Sequence, residues 1–405
     1  MKTRLLNLIL FSFSILLLTG CDLKIDDSNS DTDINTALCG PEHATAITAQ
    51  STSSSYIGVV KTAEYGDGSN LIFIENNAVT ETNLLASTET DYVVSSRSGH
   101  FYYLGRDGID TFQKYYHTSP ETGLYQTDNS LGYSTRESGS EISPNAQNIA
   151  FINDSIAVMP RRSEGKAWIV DTSAQTEEDF KICELDLSAY NTQKINDDST
   201  VTTYPPHMFA ANVSENYVTI TMQRLENYTP VESAYVAVFN TNTWEEVDTN
   251  PSIDGLKGIK LNLKNPQGTS LNGENLYISS LVYADNSGGI EKINLDTLTV
   301  ETINTEAGYS SVNVTENGNI YAISYNGWKN NTLVNITNGT STTVGSTSGK
   351  YLSSLASRNN ELWLGYGLKG DEQPKIELFD ATDNSKKAEV SPLTRSPVSI
   401  SFIEK

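Results

Sequence analysis

An all-β chain, made by repeating one four-stranded unit around a ring, is what the sequence predicts. Three observations predict it. The first is a hairpin phrase that recurs. Ala234–Thr249 reads AYVAVFNTNTWEEVDT: an apolar strand through Val236 and Val238, a polar turn at Asn240–Thr243, and a second short strand through Trp244 and Val247. Copies begin at Gly289 and Pro374, a rougher one begins at Lys166, and Asp296, Asn338 and Asp380 fall in the turn at steps of 42 residues. A period of about 40–50 residues marks propellers and solenoids. The second observation is a turn followed by the start of a strand, ahead of each hairpin: Ser98–Tyr102, Glu215–Val218, Glu274–Tyr277, Gly318–Tyr321 and Asn360–Trp363. Each unit then has an inner strand A, a strand B carrying this aromatic phrase, and strands C and D forming the hairpin. That is a propeller blade. The third observation is the ends. One strand, Val398–Ile403, follows the last hairpin, and one strand, Tyr56–Thr62, precedes the first.

C strands near Asn70, Gly108, Lys166, Ala234, Gly289, Thr332 and Pro374 give seven blades. The prediction is a seven-bladed β-propeller of four-stranded antiparallel blades over residues 55–405. It is closed by pairing the C-terminal strand, as strand A of the first blade, with Tyr56–Thr62 as strand B. Such closure removes an exposed sheet edge. Segments 127–145 and 189–206 read as insertions, and inserted loops sit on the faces of a ring.

Taken in order, Met1–Gly20 reads as a signal segment: Lys2 and Arg4 at the positive end, then an apolar run from Leu5 to Leu18. The run is too short to favour a spanning helix. It ends in Leu18-Thr19-Gly20-Cys21. Residues 21–54, rich in Asp, Ser and Thr, read as a solvated acidic tether. Three cysteines are present. With Cys21 set aside, Cys39 and Cys183 remain, an even pair that predicts a disulfide in an exported protein; two unpaired thiols are the alternative.

The 50 acids outnumber the 27 bases, for a net charge of −23. Such a surface repels nucleic acid and anionic lipid, so nucleic-acid binding is not expected. Histidine is limited to His43, His100, His117 and His207, none at metal-ligand spacing, and no HExxH, CxxC or GxSxG occurs. No metal, no cofactor and no catalytic residue is predicted.

Two resemblances follow from these residues. Leu18–Cys21 resembles the bacterial lipobox, which implies that Cys21 is lipidated, that the lipid anchors the protein to a membrane, and that the chain sits in a bacterial envelope, at the outer or inner membrane, facing periplasm or exterior. The hairpin phrase, with Val236, Val238, Asn240-Thr241, Thr243 and Val247, resembles the YVTN-type repeats of bacterial seven-bladed propellers. That resemblance implies a binding or scaffolding module more than an activity.

The candidate site is positional. In a propeller the B–C and D–A loops share one face. The B–C loops here carry Arg106, Arg161, Arg162, Arg224, Lys329 and Lys369, with Tyr228 and Trp328 among them. Together they predict a positive mouth on a negative body, suited to a small anionic ligand, an iron chelate being one candidate, or to an envelope protein partner. Exposed loops that simply carry Lys and Arg are the alternative for these residues. For the whole protein two others stay open: a lyase or hydrolase in the central funnel, with His207 near Glu232, and a structural scaffold of a cell-surface assembly.

Overall fold

The computed structural model describes residues 38–50, 53, 55–116, 127–251 and 255–404. The signal segment, Cys21 and the tether as far as residue 37 lie outside the described residues, as does His117. The protein is a seven-bladed β-propeller of four-stranded antiparallel sheets. The last strand, Ser396–Glu404, is the innermost strand of blade 1 and pairs antiparallel with Tyr56–Glu64, from Tyr56 opposite Glu404 to Ala63 opposite Ser396. Closing the ring inside one sheet joins the two ends of the fold by backbone hydrogen bonds and leaves no open edge there.

Seven apolar clusters hold the ring together, one at each junction between neighbouring blades. A blade is therefore buried on both faces. The C strand of blade 4, Tyr235–Asn240, shows what that demands. Val236 and Val238 pack against blade 5, while Ala237 and Phe239 pack against blade 3. Strands covered on both sides read as apolar runs rather than strict alternation. At the closing junction Trp363 of blade 7 meets Phe402 edge-on at 5.3 Å, and Gly58 leaves room for the indole, since a Cβ there would lie 2.6 Å from it.

Three expectations need correcting. Segment 127–145 is not all insertion: Thr127–Ser134 is the outer strand of blade 2. Trp244 and Val247 do not form the outer strand of blade 4. Only a single bridge joins Phe239 to Glu246, and the outer strand is Ile259–Lys260. Trp244 takes φ 57°, which breaks the strand, and its indole turns into the junction of blades 3 and 4. Finally, the described part of the expected tether, Leu38–Gln50, is held against the ring. A disulfide joins Cys39 to Cys183 in the outer strand of blade 3. The Thr45 amide donates to the Thr241 carbonyl, and the Thr48 amide to the Ile152 carbonyl. Trp244 Nε1 donates to the His43 carbonyl at 2.8 Å. By contrast, 189–206 does carry an added hairpin, Thr192–Ile195 with Val201–Tyr204.

Candidate binding mouth

The channel along the ring axis has two mouths. One opens among the A–B turns. It is a cavity of about 1030 Å³, lined by Ser96, Asn212, Asn313, Ala356 and Ser401 from five inner strands and by Asn148 just ahead of a sixth. Ile47–Gln50 also line it, so the chain's own segment crosses this mouth. Arg97, almost fully buried, fixes the crossing: its Nη2 donates to the Thr48 carbonyl at 2.7 Å, and its Nε pairs with Asp154 at 2.9 Å. Charge-assisted bonds of this kind are the strong ones.

The other mouth is formed by the B–C and D–A loops. All six predicted bases lie in B–C loops, between the B and C strands of blades 2, 3, 4, 6 and 7. The structure does not leave them all available. Arg106 Nε donates to Asp91 at 2.8 Å. Arg161 is only 1% exposed. Its guanidinium lies 4.1 Å from the centre of the Trp168 ring and pairs with Glu137 at 3.2 Å. It belongs to the junction of blades 2 and 3 and cannot meet a ligand. Arg224 donates to the carbonyls of Tyr190 and Ser233 and lies over Tyr235. Lys329 donates to the Leu368 carbonyl, and Lys369 to the Gly349 carbonyl. A lysine or arginine tied to a backbone carbonyl keeps its charge but spends a donor. The neighbouring loops repeat the pattern, with Arg136 on Asp110 and Arg395 on Asp67.

Arg162 is the exception. Its backbone amide is bonded to the Asn145 carbonyl. Among the described residues its guanidinium has no hydrogen bond and no ion pair, although the residue is half-buried. Burial pushes its pKa down. The Tyr228 hydroxyl and Asp107 oppose that fall, while Arg106 adds to it. Arginine stays charged at any working pH, so the outcome is a half-buried cation that reaches water and has no protein partner among the described residues. Tyr228 is 78% exposed, and its ring centre lies 6.4 Å from that of His207.

His207 is 8% exposed, and burial together with Arg162 lowers its pKa to about 4. Its Nδ1 accepts the Leu225 amide at 3.3 Å. No carboxylate is among the groups that shift its titration, Glu232 included. It is a buried imidazole held neutral, and among the described residues no carboxylate, Glu232 included, pairs with it, which weighs against the alternative of a His207–Glu232 pair in the funnel. Trp168 and Trp363 are buried in blade junctions.

Trp328 is different again. It stands 77% exposed on the B–C turn of blade 6, beside a second hollow of about 420 Å³. Tyr283, Tyr325 and Tyr351 line that hollow with it. The sequence reading picked out Trp328 and passed over the three tyrosines. Tyr283 carried the available signal, being an aromatic in the B–C loop of the preceding blade.

A seven-bladed β-propeller with one mouth crossed by its own chain and one mouth open is thus the class of protein this fold defines. Comparison with family models finds no match, and neither does comparison with curated proteins. Solved structures do match in fold. A candidate 6-phosphogluconolactonase from Bacteroides uniformis superposes with TM-score 0.52 at 14% identity, over 87% of this chain and 100% of that one. Apo AztD from Citrobacter koseri gives TM-score 0.46 at 12% identity, over 86% and 98%. The computationally designed protein Ika8 gives TM-score 0.48 at 14% identity, over 90% and 92%. Likeness at such identity concerns the propeller alone.

Proposed function

We propose that the protein is a non-enzymatic binding module of a bacterial envelope. It is anchored through a lipid on Cys21, is built on YVTN-like repeats, and uses its B–C/D–A mouth to hold a small anionic ligand or an acidic segment of a protein partner. The observation that carries this reading is Arg162. Every other predicted base on the rim has an internal partner, whereas this half-buried guanidinium has none among the described residues. Arg106, His207 and Tyr228 lie near it, as does the Asp107 carboxylate, which an incoming anion would have to outcompete. An anion placed there would gain two charge-assisted bonds in a partly water-excluded mouth. The planar fork suits carboxylate or phosphate oxygens, and an iron chelate with carboxylate arms fits the same chemistry.

The test is a thermal-shift titration with citrate, ferric citrate and inorganic phosphate, alongside recovery of partners from a mild detergent extract. At least one anion should raise Tm, or one acidic partner should co-purify, and Arg162→Ala should abolish that effect while the unliganded Tm stays put. Silence of all three anions together with unchanged co-purification in Arg162→Ala would remove the reading. Labelling with radioactive palmitate that survives Cys21→Ser would remove the anchor.

A further inference from the structure

The hollow beside Trp328 lies at blades 5 to 7 and the closing strand of blade 1, away from Arg162 in blade 3. Its walls are unlike the rest of the rim. Four aromatic rings line it, together with Ser310, Ser311, Ser353 and Ser354, and among the described residues no carboxylate lines it. Tyr283 meets Tyr325 edge-on at 5.3 Å, and Trp328 lies 6.1 Å from Tyr351.

These rings are held in place. The turn that carries Trp328 is closed by its own backbone: the Asn326 amide donates to the Asn330 carbonyl, and the Asn330 amide to the Gly327 carbonyl. The Asn330 side chain adds a bond to the Asn326 carbonyl at 3.1 Å. Tyr351 lies so close to Gly367 that a Cβ there would fall 2.3 Å from the ring. On its other side Lys329 Nζ sits 4.9 Å from the ring centre. That ammonium also donates to the Leu368 carbonyl at 2.8 Å, which takes one of its three donors and leaves its charge in place.

Exposing an indole to this degree on a hydrogen-bonded turn forgoes the burial that usually stabilises so large an apolar side chain. Such rings earn their place when one face is covered by a ligand and the polar edge stays wet. The chemistry narrows the ligand. A cation is disfavoured by the Lys329 ammonium already lying on the cage. An anion meets a single ammonium, Lys329, held to one side by the Leu368 carbonyl and the Tyr351 ring, with no second cation lining the hollow among the described residues. A ligand with apolar C–H faces and hydroxyl edges finds both halves of what it needs: flat π faces on Trp328 and Tyr283, and hydroxyl or amide groups on Ser311, Tyr325, Tyr351 and Asn331. The volume falls within the ~300–1,000 Å³ of small-molecule sites.

From this juxtaposition we infer that the hollow lined by Tyr283, Tyr325, Trp328 and Tyr351 is a carbohydrate-binding site that takes a neutral sugar ring of an oligosaccharide against Trp328. The site is separate from the proposed anion site and stands if that one fails.

Trp328 makes the test simple. Of the four tryptophans, Trp168, Trp244 and Trp363 are buried and Trp328 is exposed. Acrylamide quenching of the full chain therefore reports chiefly on Trp328. The protein is titrated with maltohexaose, cellohexaose, mannohexaose and chitohexaose. At least one should shield the indole from acrylamide in a saturable way, with an affinity that is insensitive to salt. Trp328→Ala, followed by calorimetry, should weaken that sugar by at least about tenfold. Tyr325→Phe, which keeps the ring, should weaken it by a smaller factor. Both variants should melt like the parent. No shielding by any of the four sugars, or binding that persists in Trp328→Ala, overturns the site. Binding that collapses with salt points to an anion instead and overturns it as well.

Discussion

The two mouths of the ring are made by opposite ends of the same strands, yet they are finished in different ways. The mouth at the A–B turns is crossed by Ile47–Gln50, which Arg97 and backbone hydrogen bonds hold in place downstream of the Cys39–Cys183 disulfide. The mouth at the B–C loops carries no such strap among the described residues, and its rim shows Trp328, Tyr283 and Tyr228 to solvent. The difference teaches that charge alone does not mark a binding face. The crossed mouth uses its arginine to secure the chain. On the open mouth most bases are likewise tied to internal acids and carbonyls. The groups left over are one arginine and a set of aromatic rings.

Four changes would break or sharpen that contrast. The largest effect concerns the ring that both mouths share. Deleting Ser396–Glu404 removes the inner strand of blade 1 and leaves Tyr56–Glu64 with an open edge. The expected loss exceeds the ~5–15 kcal/mol that a folded domain has in hand, so urea denaturation should show no cooperative transition. Next comes Arg161→Ala. It removes a buried guanidinium from the Trp168 face, while Glu137, 38% exposed, keeps its Lys181 partner, so the loss should be about 3 kcal/mol. The neighbouring Arg162→Ala should move stability by no more than about 0.5 kcal/mol. Equal effects from the two would abolish the distinction drawn between them.

Cys39→Ser should cost about 2–4 kcal/mol in chemical denaturation, since the bond closes a long loop over 144 residues. It should also loosen only the crossed mouth, read as proteolysis within 40–50 while the B–C loops stay intact.

The smallest effect is a pH dependence at the open mouth. Lys61 is buried there, donates to the Thr90 carbonyl, and burial lowers its pKa to about 8. The folded protein thus releases this proton before the unfolded chain does. The burial penalty is full below pH 8 and fades above it, so stability should rise between about pH 8 and 10, by at most about 3 kcal/mol. Lys61→Met should flatten that rise in urea titrations across the window. A fall over the same window in the parent would contradict the assignment.

Much of the architecture was legible because it repeats. The turn at Asp296, Asn338 and Asp380 and the single strands at the two ends follow from period and count alone. Blade 4 misled because Trp244 looks like a strand residue, while its φ is set by a junction that the local sequence does not reveal. The strap misled for a different reason. ATAITAQ has one large apolar side chain, Ile47, and its hold comes from backbone groups that meet Thr241, Ile152 and Arg97, all distant in the chain. The rim bases were placed on the right face because loop order gives the face. Their partners could not be read, since Arg161 meets Glu137 and Arg136 meets Asp110 across intervening strands. The aromatic hollow draws on blades 5, 6, 7 and 1, and only the folded ring brings them together.

The central claim is that the chain itself covers one mouth and leaves the other to a ligand. Hydrogen–deuterium exchange on the intact, oxidised protein tests it most directly. The Thr45 and Thr48 amides, bonded to Thr241 and Ile152, should exchange as slowly as strand amides, and the turn around Trp328 should gain protection beyond its own Asn326 and Asn330 bonds only when ligand is added. Exchange of Thr45 and Thr48 at the rate of an unstructured peptide would contradict the account.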